Sequence, residues 1–229
     1  MSQAEPAGPT ARGQGGLGTV RNAVRLLELL GEGAAYQQLT DLADRSGLSV
    51  PTVHRLLRSL VLADLVVQDP RSSRYGLGPE LTRLSHRYLS RLPLLGALGP
   101  YLAGLRDSVG GTVQVQVLVR GEVVSVDRVD GGEHGPYRET HLVLPALECA
   151  AGRLLAARAD EVGWQHALER AAGPVREEAA QRRSDWAGRE WLLVTGGDPT
   201  VPGTVAVPVV DGQGQAVAAL AADLPHDSR

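Results

Sequence analysis

Apolar positions along the chain change period several times, and the changes mark out its organisation. Residues 1–18 show no period, are rich in Gly, Ala, Pro and Gln, and read as a disordered tail. From there Val20, Ala23, Val24, Leu26, Leu27 and Leu30 recur at helical spacing until Gly31 and Gly33 end the run. The pattern predicts a second helix over residues 36–45, a tight turn at Ser46-Gly47-Leu48, and a third helix over residues 50–62. Val53, Leu56, Leu57 and Leu60 form the inner stripe of that third helix, Ser49 stands at its N-cap and Pro51 lies in its first turn. Residues 65–68 and 75–77 then flank the polar tip Asp69-Pro70-Arg71-Ser72-Ser73-Arg74, the pattern of a short hairpin.

Residues 79–92 read as a connecting helix whose Leu81, Leu84, Tyr88 and Leu92 stripe suits a dimer contact. Another helix is predicted over residues 94–108, closed by Gly110-Gly111. The period then switches to two, and residues 112–119 and 122–129 form a hairpin around Arg120-Gly121. A glycine-rich loop follows at residues 130–136, then a small-residue helix over 147–158 and one or two polar helices within 163–190. Strands close the chain near residues 191–195, 204–210 and 216–221. The fold class is therefore α+β: a winged helix-turn-helix over 19–78, a linker helix over 79–92, and a mixed domain over 93–229.

Composition excludes more than it adds. The 229 residues, 43% hydrophobic, support a buried core of Leu, Val and Ala. No apolar run approaches the roughly 18 residues needed to cross a bilayer, and the N-terminus lacks an apolar secretory segment, so a cytoplasmic protein without a membrane partner is expected. Cys149 is the single cysteine, which excludes an intramolecular disulfide and a Cys-based zinc cluster. His54, His86, His134, His141, His166 and His226 are scattered without metal-ligand spacing, and no metal or other cofactor is expected. Gly13-Gln14-Gly15-Gly16-Leu17-Gly18 fits a dinucleotide fingerprint in letters only, because no strand precedes it. Cys149 with His141 as nucleophile and base is set aside: the cysteine sits in a run of small residues, and Glu148 opposes a thiolate. The chain is not read as an enzyme. Trp164, Trp186 and Trp191 are expected to fill the core of a domain that has no phenylalanine.

The net charge of −3 is unevenly spread. All 23 cationic residues are arginines, and residues 1–80 hold eight of them against eight acids. The third helix carries two arginines and no carboxylate. With its stripe turned inward, Thr52, His54, Arg55, Arg58 and Ser59 face outward. Thr52 and Arg55 suit base edges in a major groove, an arginine fork matching guanine and a threonine methyl matching thymine. Ser49 and Arg58 suit backbone anchoring, and Arg71 and Arg74 on the wing suit phosphate. A three-helix unit with a merely solvated arginine face is the plainer alternative, disfavoured because cap, turn, stripe and wing occur in order.

These residues resemble a family. The segment "LTDLADRSGLSVPTVHRLLRSLVLADLVVQDPRSSRYGLGP" is similar to the DNA-binding domain of IclR-type bacterial transcription regulators. "LPALECAAGRLLAA" resembles the family's Pro-Leu entry to a small-residue helix, and "GTVAVPVVDGQGQAVAALAADLP" its closing hairpin. The resemblance implies a homodimeric or tetrameric repressor on double-stranded DNA, with two recognition helices in successive major grooves of a pseudo-palindromic operator. It implies a C-terminal effector-binding domain, a curved antiparallel sheet flanked by helices, whose small-molecule ligand changes the helix spacing. Thr52 and Arg55 match the residues that read the operator. By position, His141, Cys149, Gly152, Thr204, Ala206, Ala221 and Asp223 line or border the effector pocket. The chain departs from the family where His141 replaces a frequent glycine, where Ala221 and Asp223 replace serines, and where residues 167–202 run short. Those departures favour an effector other than a small carboxylate, or a filled pocket. Two other readings stay open: an effector-independent regulator with an occluded pocket, and a ligand-binding or enzymatic protein whose helix-turn-helix only binds a partner.

Overall fold

Three helices and a short hairpin carry the first of two units, Met1–Arg91, in a computed structural model that describes residues 12–131, 143–195 and 203–224. Helices α1 (Arg12–Gly31), α2 (Leu39–Ser46) and α3 (Val50–Leu62) close on Leu26, Leu30, Leu42, Val53, Leu57 and Leu60. The stripe assigned to α3 is the buried one, and Gly47 takes the left-handed conformation (φ 68°) that ends α2. Fully burying each such side chain contributes about 1.5–3 kcal/mol, enough to fix which faces turn inward. Two expectations fail at the boundaries. Residues 12–18 belong to α1 instead of the tail, because a helix already nucleated by its apolar stripe extends with one hydrogen bond per added residue.

The other boundary is α2, which starts at Leu39 instead of residue 36. Gln37 is held extended by exchanging both backbone hydrogen bonds with Tyr75, each 2.9 Å. Its side-chain amide donates to the carbonyls of Leu29 and Glu32 at 2.9 and 2.8 Å, satisfying groups that the end of α1 leaves open. Its Oε1 accepts from Arg45 at 2.7 Å, and Arg45 also pairs with Glu32 at 2.9 Å. One buried glutamine thus joins α1, α2 and the hairpin of β1 (Val66–Gln68) and β2 (Tyr75–Leu77). Helix α4 (Glu80–Leu89) follows and buries no residue within the chain.

The second unit, Leu92–Arg229, is a six-stranded antiparallel sheet with helices on both faces. Its strands are β3 (Val113–Val119), β4 (Glu122–Val129), β5 (Val143–Pro145), β6 (Leu192–Val194), β7 (Thr204–Val210) and β8 (Ala216–Asp223), in the order β5-β4-β3-β8-β7-β6. Arg120 and Gly121 both have positive φ (50° and 82°), as a two-residue turn matched to strand twist requires. Helix α5 (Pro93–Val109) covers one face through Leu102 against Val113, Val115, Ala218 and Ala222. On the other face, α6 (Ala150–Arg158), α7 (Glu161–Arg170) and α8 (Gly173–Gly188) pack on Val123, Ala206, Ala219 and Ala221. Trp164 and Trp186 fill this layer as expected, but Trp191 is 56% exposed at the start of edge strand β6.

Small residues set how closely α6 approaches. A Cβ at Gly152 would collide with the Ala146 carbonyl, backbone that cannot swing aside. Gly152→Ala is expected to lower unfolding stability by about 1–3 kcal/mol in urea titrations. Gly104→Ala, on α5 with open space around the new methyl, is expected to be neutral or to stabilise by up to about 1 kcal/mol.

Candidate functional site

The outer face of α3 forms as its periodicity predicts. His54, Arg55, Arg58 and Ser59 are exposed and Thr52 is half-buried. Ser49 occupies the N-cap position without capping: its hydroxyl meets the Thr52 hydroxyl at 2.9 Å instead of a backbone N–H. The pair ties the first turn together and directs the threonine methyl and hydroxyl. Ser59 donates to the Arg55 carbonyl at 3.2 Å, so its hydroxyl faces its own helix as much as a partner. The guanidinium groups of Arg55, Arg58, Arg71 and Arg74 make no ion pair or hydrogen bond among the described residues. By contrast Arg45, Arg83, Arg153, Arg170 and Arg183 are each paired with a carboxylate. Unpartnered cations on one helix face and the adjacent hairpin are what phosphate and guanine edges require.

The hairpin tip is organised by a residue that sequence reasoning passed over. The Asp69 carboxylate accepts from the backbone N–H of Arg71 at 3.2 Å and of Ser72 at 3.1 Å, and from the Ser72 hydroxyl. Its own backbone closes the loop with Arg74 and Ser73, each at 2.8 Å, and Ser73 takes φ 56°. The Ser72 hydroxyl, followed by the Arg71 amide, holds the Asp69 carboxyl below its ordinary range. An aspartate followed by serine three residues on was the available signal.

The effector residues assigned by resemblance divide into groups. Thr204 pairs with Asp223 and Ala206 with Ala221 across β7 and β8, and all four side chains lie on the sheet face toward α6. Ala206 and Ala221 are buried there. Cys149 is the N-cap of α6, its Sγ accepting from the Gly152 N–H at 3.4 Å, and burial pushes its thiol up. Cys149 and Gly152 therefore seat the helix. His141 lies outside the described residues. An apolar cavity of about 120 Å³ opens against α5, lined by Leu105, Val109, Val205, Val207 and Leu220 and reached also by Ala206 and Ala221. Among the described residues no group of His, Cys, Asp and Glu is arranged to hold a metal, and no helix is long and apolar enough to cross a membrane.

Asp69→Ala is expected to speed amide exchange at Ser72 at least tenfold while the midpoint of global unfolding in urea stays unchanged. The sign of its pH dependence follows from the lowered pKa: the ordered tip persists above the ordinary value near ~3.9 and is lost only as pH falls through the lower folded value. An NMR titration of Asp69 reads that midpoint directly.

Comparison with known proteins bears on the helix-turn-helix and on the fold. Residues 19–70 match the model of the IclR helix-turn-helix domain. The chain is 33% identical over 152 residues to the glycerol operon regulatory protein of Streptomyces coelicolor, 66% of this chain and 59% of that one. The chain thus spans about three fifths of the curated relatives it matches. In structure it resembles an IclR family transcriptional regulator from Brucella abortus, with TM-score 0.77 and 23% identity, over 97% of this chain and 86% of that one. It also resembles an IclR homologue from Microbacterium hydrocarbonoxydans complexed with 4-hydroxybenzoate, with TM-score 0.66 and 22% identity, over 92% and 90% of the two chains. The first unit thus carries a helix-turn-helix that matches the IclR domain in sequence, and the fold through both units resembles that of IclR-family regulators.

Proposed function

We propose that this protein is a sequence-specific DNA-binding transcriptional regulator, a cytoplasmic homodimeric repressor, whose second unit senses a small molecule. The observation that carries the reading is the α3 face: Arg55 and Arg58 without partners among the described residues, beside a hairpin that holds out Arg71 and Arg74 in the same state. Thr52 and Arg55 lie one turn apart and reach base edges. Arg58, Arg71 and Arg74 hold the phosphates on either side. His54 and Ser49 border that surface. The exposed Leu84 and Tyr88 of α4 supply the contact with a second copy.

Sensing is supported by the Microbacterium relative, which binds 4-hydroxybenzoate, and by polar residues on the α6-facing side of the sheet. The buried Ala206 and Ala221 favour a second reading, a regulator with an occluded pocket. A thermal-shift screen separates the two, since only the sensor gains stability from a metabolite.

Arg55→Ala is expected to weaken binding to an operator selected in vitro by about 1–3 kcal/mol and to relax specificity at one base pair. An unchanged specificity profile removes Arg55 from base readout. Arg74→Ala is expected to weaken all sequences alike and to reduce the salt dependence by about one phosphate contact. Absence of any specific complex at physiological salt, by fluorescence anisotropy, overturns the DNA-binding reading itself.

A further inference from the structure

Strand β3 reads Val-Gln-Val-Gln-Val-Leu-Val, and its alternation divides two environments. Val113, Val115 and Val117 pack in the layer under α5. Gln114 and Gln116 therefore point the other way, onto the face shared with Ala221 and Ala219, their partners on β8. Ser125 faces Gln116 from β4. The three side chains bond to one another. The Ser125 hydroxyl donates to Gln114 Oε1 at 2.7 Å, and Gln116 Nε2 donates to the same oxygen at 3.2 Å and to Ser125 Oγ at 3.1 Å.

This triangle converges on one acceptor and leaves two amide ends unused. The Gln114 NH₂ group and the Gln116 carbonyl bond no described residue. Gln116 is only 6% exposed, a position where an amide normally finds every partner it can. The two ends are nevertheless within reach, because the one sealed, unpartnered side-chain polar atom among the described residues is Trp186 Nε1. Arg128, opposite Gln114 on β4, is tied to Asp130 at 2.5 Å.

We propose that Gln114, Gln116 and Ser125 form the binding floor for a neutral small molecule carrying an adjacent hydrogen-bond donor and acceptor, such as a primary amide, lactam or urea. The ligand carbonyl accepts from the Gln114 NH₂ group, and the ligand N–H donates to the Gln116 carbonyl. A carboxylate satisfies the first group, but sets an anion against the carbonyl of the second. The proposal rests on the sensor reading and names the ligand class for it.

The test uses the full chain, with 4-hydroxybenzamide, benzamide and 2-pyrrolidone as probes and 4-hydroxybenzoate and benzoate as matched anions. The amides are expected to raise the melting temperature and to shift the Gln114 side-chain NH₂ resonances, and the carboxylates to do neither. Gln114→Glu, nearly isosteric and keeping the acceptor for Ser125, is expected to weaken amide binding at least tenfold, as is Gln116→Leu. Should Gln116→Leu fail to fold, Gln114→Glu and the wild-type resonances still decide. Carboxylates binding as tightly as amides, undiminished amide binding in Gln114→Glu, or no response to any amide overturns the proposal. Amide binding that is lost in the variants, yet leaves operator affinity unchanged in the wild type, upholds the site and overturns the sensor reading instead.

Discussion

The second unit depends on one ladder, the antiparallel pairing of Val113, Gln114, Val115 and Gln116 with Ala222, Ala221, Leu220 and Ala219. Each of its two hairpins is local, β3 with β4 and β7 with β8, and neither alone has two covered faces. Joining them makes the six-stranded sheet and decides which residues meet α5 and which meet α6. A slip of one residue would bury the glutamines under α5 and turn the valines toward α6, so the apolar pattern itself enforces the register. The small side chains of β8 follow from the same constraint, because helices approach that strand from both sides. The contacts are distant in sequence, and closing them is the slow entropic step that topology imposes.

Much of the first unit was legible because short-range periodicity decided it. In α3 a strong apolar stripe fixes the buried face and therefore the exposed one, so the outward arginines could be named without coordinates. The start of α2 could not be read, since Gln37 is withdrawn from the helix by a strand partner nearly forty positions away in sequence. Strand β5 went unnoticed for a related reason: three residues ending in proline show no alternation, and only the edge of β4 makes them a strand. Around the second unit's face, resemblance assigned Thr204, Ala206, Ala221 and Asp223 to an effector pocket, and what the structure adds is their pairing, a property of register. Gln114 and Gln116 stood openly in the valine alternation. Their chemistry emerged only when Ser125 was seen across the strand.

The absence of lysine shapes both units differently. In the second, arginines serve the interior as flat, multiply donating groups: Arg153 lies over the Trp186 ring at 4.9 Å and Arg183 over Trp164 at 4.8 Å. Arg158 donates to the Trp186 carbonyl at 3.1 Å. A lysine could not stack and donate in one plane in this way. The arginines of the α3 face and the hairpin keep the same geometry in reserve, where planar forks match a base edge or a phosphate. Near-neutral overall charge therefore conceals a division of labour within a single residue type.

The ordered hairpin tip has a thermodynamic consequence. Because Asp69 already closes residues 71–74 into a hydrogen-bonded loop, the proposed docking on a duplex would order chiefly the arginine side chains, at roughly 0.5–1.5 kcal/mol each. Complex formation at the hairpin then lacks the large negative heat-capacity change of coupled folding. What varies with ionic strength is the release of counterions from the DNA, while the loop itself contributes an association rate set by encounter instead of rearrangement. A six-residue tip with five polar side chains, which looks like the most adaptable part of the domain, is closed by its own hydrogen bonds.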